Sequence, residues 1–222
     1  AITNSAVPVV PPTAATQAPA TPATVPSAPS TPPAVTSSQP PASVQSLLAQ
    51  ATKAASSQNF QGAIQPLEQA IAMEPSNRSV LSLLAECTQF QGMTFLQKKN
   101  DAEASAMFLK SGEYFHKLLD SGVELNARES QLAPQVLYNE ACVFSLAKQS
   151  EKAISSLGAA FDLGWADLAH VEKDSDLDSL RELPEFKSLI EQVPAKLLAR
   201  AKDHAKKLIA EKGGYMIWPL IR

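Results

Sequence analysis

The 222-residue sequence is short of most of what catalysis or scaffold chemistry needs. It has two cysteines and three histidines. Two cysteines exclude a disulfide-built scaffold. His116, His170 and His204 lie far apart and share no ligand spacing, so no metal centre is expected. Positive charge is not in excess: 19 Lys and Arg stand against 22 Asp and Glu. A phosphate-binding surface needs clustered cations, so nucleic acid is not an expected partner. No apolar run approaches the roughly 18–20 residues that span a bilayer. There is no G-x-S-x-G, no H-E-x-x-H and no glycine-rich phosphate loop. Nothing supplies an oxyanion hole beside a Cys–His pair. The reading is therefore not an enzyme, with no cofactor.

Proline is abundant and badly distributed. Residues 1–43 hold eleven of the 17 prolines, thirteen Ser or Thr, and no charged side chain. The first charge is Lys53 and the first glycine Gly62. Proline fixes φ and removes N–H donors, so neither helix nor central strand is expected there. With little to bury, the segment cannot offset its own ordering entropy. It reads as an extended arm that, at about 3.1 Å per residue, reaches on the order of 130 Å. Such Pro/Thr/Ser/Ala composition is that of exported stalks, and the hydroxyls beside proline are candidate O-glycosylation sites. The start at Ala1 is read as a mature end left by signal-peptide removal, with an artificial boundary as the alternative. The compartment expected is secreted, extracellular or periplasmic. The most apolar stretch, with Val7, Pro8, Val9 and Val10, is the part suited to dock on another copy; a plain spacer is the other reading.

From Val44 the pattern turns helical. In residues 44–77, Phe60, Ala63, Leu67, Ala70 and Pro75 follow one another at the spacing of a second helix in a two-helix repeat. Ala63 and Ala70 allow close helix approach, and Pro75 stops the helix. This unit resembles a tetratricopeptide repeat (TPR), with Leu47 and Ala51 in the places where that family has Trp and Gly. Pro66 reads as a first-turn proline. A second unit begins at Arg78 with Leu81, Leu84, Ala85 and Gly92, but its second helix is displaced. Asp101 is its expected N-cap, and Ala104, Phe108, Phe115, Leu118 and Leu119 mark one face. A third unit has Ala141 in the close-packing place, then Ala153, Ile154, Leu157 and Ala160. Residues 164–190 resemble the bacterial end-of-group module of TPR proteins. The resemblance implies that Trp165 and Leu168 cover the last repeat, with Leu177, Leu180, Phe186 and Leu189 packed over it. The fold class is thus all-α: a short TPR-like array over 44–193 with a C-terminal cap, behind the arm 1–43 and before a third part, 194–222.

That third part is a helix to about Lys212 with Leu197, Leu198, Ala201, Ala205, Leu208 and Ile209 on one side. Its other side is basic: Lys196, Arg200, Lys202, Lys206, Lys207 and Lys212. The tail after it carries Tyr215, Ile217, Trp218 and Leu220. Folding back on its own domain, insertion into a neighbouring subunit and membrane-surface binding are the three readings.

Several motifs carry bland readings. Asp174-x-Asp176-x-Asp178 with Glu185 imitates a calcium loop, but Ser179 stands where the turn needs Gly. Cys87 and Cys142 read as buried thiols, with a disulfide as the alternative in an exported protein. Asn77-Arg78-Ser79 is a formal glycosylation sequon.

The TPR resemblance also implies a peptide-binding wall made of the first helix of each hairpin. Carried over, the wall includes Ser82, Glu86 and Gln89, then Gln135, Tyr138, Asn139 and Cys142. The function expected first is an exported, self-assembling structural protein, a filament or fibre subunit whose arm or tail docks on the next copy. The alternative is a cell-envelope adaptor that seats an extended peptide of another protein in its groove.

Overall fold

The computed structural model describes residues 43–211. The arm residues Val7, Pro8, Val9 and Val10 and the tail residues Tyr215, Ile217, Trp218 and Leu220 lie outside the described residues. Within them the chain is all helical, with no strand. Its elements are α1 (Val44–Ser56), α2 (Phe60–Met73), α3 (Arg78–Gln97), α4 (Asp101–Asp120), α5 (Ala127–Leu146), α6 (Ser150–Asp162), α7 (Leu168–Val171), a 3₁₀ segment (Ser175–Leu180) and α8 (Pro184–Glu211). Each of the first five helices packs on the next, so α1–α2, α3–α4 and α5–α6 form three consecutive hairpins. No helix among the described residues is long and apolar enough to cross a membrane.

The hairpins share one turn. Gln58, Lys99 and Lys148 each sit at positive φ, 58°, 60° and 62°, two residues past the end of α1, α3 and α5. In each, the positive-φ residue donates to the carbonyl three back: Gln58 to Ala55, Lys99 to Leu96, Lys148 to Ser145. The residue after it donates five back: Asn59 to Ala54, Asn100 to Phe95, Gln149 to Phe144. This paired closure satisfies helix-end carbonyls that have no partner within the helix. Glycine is the usual occupant, yet here all three positions carry long polar side chains. Gly164 closes α6 the same way, at φ 110°.

Small residues let the hairpins close. Ala51, Ala63, Ala70, Ala85, Ala141, Ala153 and Ala160 are all fully buried. In α3, a side chain at Gly92 would place its Cβ 2.7 Å from the Phe108 ring of α4. The second hairpin is regular but long, both helices having 20 residues. Its far end has its own small core of Leu96, Ala104, Phe108 and Val143.

Four local expectations need correction. Asp101 is the first residue of α4, not its cap; Asn100 holds the cap position, without a side-chain hydrogen bond. Pro66 lies beyond the first turn of α2 and is buried in the core face. No helix begins after Pro194: α8 runs through it for 28 residues. Pro194 is exposed, where water can serve the Ile190 carbonyl that it leaves unbonded, so the loss is tolerated. Cys87 and Cys142 are both free and buried, which removes the disulfide alternative.

Candidate functional site

The first helices of the three hairpins face one cavity of about 330 Å³. Thr52, Ala55 and Ser56 come from α1, spaced to share one helical face. Arg78, Ser79, Ser82, Leu83 and Glu86 come from α3, and Asn126, Arg128 and Glu129 from the start of α5. Most of this wall is polar, and Thr52, Ser56 and Ser79 are exposed.

Its charges are arranged in two layers. At the base, Asn126 and Glu129 form a capping box at the start of α5. Glu129 also takes an ion pair from Arg78, whose Nη2 donates to the Glu124 carbonyl at 2.8 Å. Burial pushes the Glu129 acid up, but the Asn126 N–H, Arg78 and Ser82 outweigh it and hold the group below its ordinary value. Above that base, Arg128 reaches from α5 to α3. Its Nε donates to Glu86 Oε2 at 2.7 Å, and its Nη2 pairs with Oε1. The hydrogen bond to Glu86 raises the Arg128 pKa further, so this cation stays charged. The Arg128 side chain is 75% exposed and that of Glu86 only 10%. The guanidinium thus presents its outer donors to the cavity.

The third hairpin treats its equivalent wall differently. Ser82, Glu86 and Gln89 recur 56 residues on as Tyr138, Cys142 and Ser145. There the chain covers its own wall. The Tyr138 hydroxyl donates to Asp174 Oδ2 at 2.6 Å, and the Trp165 ring stacks on Tyr138 at 4.2 Å between centroids. Ser145 and Ser179 hydroxyls lie 2.8 Å apart, and the Cys142 thiol lies 3.8 Å from Asp174 Oδ2. Leu177, Leu180 and Phe186 are buried in the same cluster, with Trp165, Leu168 and Leu189 packed against it.

Sequence-derived wall residues therefore divide. Ser82 and Glu86 line the cavity. Tyr138 and Cys142 do not: the 165–181 segment buries them, and burial drives both acidities away from ionisation. Gln89 is fully buried within α3 packing. Gln135 and Asn139 are half-buried and lie outside the cavity. Sequence reasoning did not reach the α1 residues or Arg128. The N-x-x-E signature of Asn126 and Glu129 is a readable signal for the start of α5.

Other polar clusters have structural partners. Cys142, Asp174 and Asp176 bring three ligand-type atoms within 4.8 Å of one another. Asp174 already accepts from Tyr138 and from the Asp176 N–H, and His170 lies 3.4 Å from it. The arrangement works as an anchor for the cap. Asp178 accepts from Arg181 Nε at 2.8 Å on the surface and Glu185 is exposed, so the calcium-like spacing does not converge on a point. Asn77 of the sequon caps α3, accepting from the Val80 N–H. His116 sits on Glu140, far from this region in the chain. The Cys87 thiol is pushed up to about 12, first by burial and then by Glu86.

No family model and no solved structure matches the chain. Over 112 residues, 50% of its length, it is 27% identical to a protein of Arabidopsis thaliana whose name describes it as chloroplastic. The match spans 33% of that protein, so the chain covers about a third of its relative.

Proposed function

We propose that this chain is a TPR-type binding module that seats an extended segment of another polypeptide against α1, α3 and the start of α5. One observation carries the reading: the cavity of about 330 Å³, with nine polar residues among its eleven, shared by the first helices of all three hairpins. Its hydroxyls and the outer donors of Arg128 suit the backbone and a carboxylate of an extended peptide. The Thr52 and Ser56 hydroxyls donate back to their own helix, at 2.7 and 2.8 Å, which leaves their oxygens to accept a peptide N–H. Both thiols are buried and their acidities are pushed up, which supports a binder over a thiol-dependent enzyme.

Self-assembly into filaments is the second reading. What favours it is position: the proline-rich arm runs directly into α1, one wall of the cavity. The arm of a second copy, with Val7–Val10, is then a candidate occupant. The expected export has a competitor as well, because the relative is named chloroplastic and an organelle is the compartment that name suggests.

A displayed library of short extended peptides, panned on the full chain, tests the binding reading. Ser79→Trp and Thr52→Trp fill the cavity from exposed positions. Peptides enriched on the native chain are expected to lose about tenfold or more in affinity on either variant. Equal enrichment on native and filled chains would overturn the groove as the site. Enrichment of sequences like residues 6–12 would favour self-assembly.

A further inference from the structure

The last helix leaves the body half-way along. Phe186 and Val193 are buried, with Leu189, Ile190 and Leu197 packed beside them on the third hairpin. Lys196 then pairs with Asp162 at 2.7 Å, and Arg200 donates to the Asp162 carbonyl at 2.9 Å, tying α8 to the end of α6. Every residue from Leu198 to Ala210 is exposed. That portion, about 20 Å long at 1.5 Å per residue, meets the body through Arg200 and through Lys207, whose Nζ lies 3.6 Å from Glu124 Oε1, and it is not uniformly polar. Leu198 is 56% exposed, Leu208 38% and Ile209 50%.

These side chains form a stripe of their own. At about 100° per residue, Leu198, Ala201, Ala205, Leu208 and Ile209 fall on one arc, turned about 90° from the arc that packs on the body. The stripe is therefore not an unfinished body contact. Lys202 and Lys206 border it along one edge, with Lys206 in an exposed ion pair to Asp203 at 3.5 Å. Charge is concentrated at this end of the chain. Residues 196–222 carry seven Lys or Arg against two Asp or Glu, while the preceding residues carry twelve against twenty. The sequence after Glu211 adds Lys212, Tyr215, Met216, Ile217, Trp218, Leu220, Ile221 and Arg222 and no acid.

We propose that the exposed half of α8, with the sequence that follows it, docks on an anionic lipid bilayer. An aliphatic stripe edged by lysines is the pattern of a helix lying in the plane of an interface. Tyr and Trp favour the headgroup level, and cations beside the stripe favour acidic lipid. A second copy is a poorer occupant. Stripe-to-stripe pairing would bring the lysine edges of two identical helices close together, where like charges repel. The acidic body also turns away from a negative surface, so charge alone orients the module with α8 down.

The test is flotation of the full chain with vesicles of phosphatidylcholine, alone and mixed with phosphatidylglycerol. Binding to the mixed vesicles, reduced by added salt, is expected. Lys202→Glu with Lys206→Glu is expected to weaken it by roughly fivefold or more per lysine. Leu208→Glu with Ile209→Glu, both exposed and so harmless to the fold, is expected to weaken it about tenfold or more. Circular dichroism checks that the helices persist. No flotation, or equal flotation on neutral and anionic vesicles, overturns the proposal. So does light scattering that shows a dimer lost in the Leu208→Glu, Ile209→Glu chain while no vesicle is bound.

Discussion

The Tyr138 hydroxyl donates to Asp174 Oδ2 at 2.6 Å, and thereby fastens the cap to the third hairpin. Asp174 is 3% exposed and also caps the 3₁₀ segment through the Asp176 N–H. One carboxylate thus organises both the wall of α5 and the segment that covers it. Tyr138→Phe keeps the ring under Trp165 but removes the donor. The expected cost is about 1–3 kcal/mol in urea unfolding, because a buried acceptor loses a partner. Peptide capture by the cavity should be unchanged, since Tyr138 does not line it.

The shared turns predict gains rather than losses. A residue with a side chain in the left-handed region costs about 1–2 kcal/mol relative to glycine's freedom there, offset in part by glycine's larger unfolded entropy. Gln58→Gly, Lys99→Gly and Lys148→Gly should each raise stability by about 0.5–1 kcal/mol. The turns are in different hairpins, so the three effects should add in thermal or urea unfolding. Gln58→Val should lower it.

Gly92 predicts the opposite sign. Its Cβ would lie 2.7 Å from the Phe108 ring, between two packed helices. Gly92→Ala should cost about 1–3 kcal/mol through overpacking, despite the better helix propensity of alanine. Gly92→Ala combined with Phe108→Leu should recover part of it, as read by the urea midpoint.

His116 makes stability depend on pH. Its Nε2 lies 2.9 Å from Glu140 Oε2, and Ser156 donates to the same oxygen at 2.7 Å. The Glu140 hydrogen bond raises the His116 pKa above 6.5, burial opposes it, and the charges of Glu140 and Asp120 add to the rise. A raised folded value means the contribution is complete below about pH 6.5. It is lost as pH climbs through the folded value above that. Unfolding free energy should therefore fall across that window, and His116→Gln should flatten the slope.

How much of this was legible in the sequence follows from which interactions are local. The small residues Ala63, Ala70 and Ala141 marked helix contacts because only a missing side chain permits that approach. Leu177, Leu180 and Phe186 were assigned to a cap through the resemblance of residues 164–190 to an end-of-group module, and all three are buried. The second hairpin was harder: α3 continues past Gly92 to Gln97, and no cap residue separates a long helix from a broken one. Lys99 and Lys148 carried no turn signal, since lysine is a poor indicator of positive φ; the closing hydrogen bonds enforce it. Gln89 was placed on the wall by the repeat resemblance, but the structure buries it completely. Tyr138 and Cys142 were placed on an open wall by the same resemblance, and only the return of residues 165–181 decides that they are covered. Arg128 escaped notice because its value lies in reaching Glu86, 42 positions earlier in the chain.

The identical turns have a consequence for how such a chain can change length. The reversal at Gln58, Lys99 and Lys148 is a fixed joint that does not depend on the helices it connects. In the second hairpin both arms grew together to 20 residues, against 13 and 14 in the first. The same joint also serves unequal arms: α5 has 20 residues against 13 in α6, and the surplus at the start of α5 places Ala133 in the core of the first two hairpins. An arm is thus free to lengthen by about two turns, seven residues, matched across the joint as in the second hairpin or unmatched as in the third, provided that its apolar face meets a neighbouring hairpin.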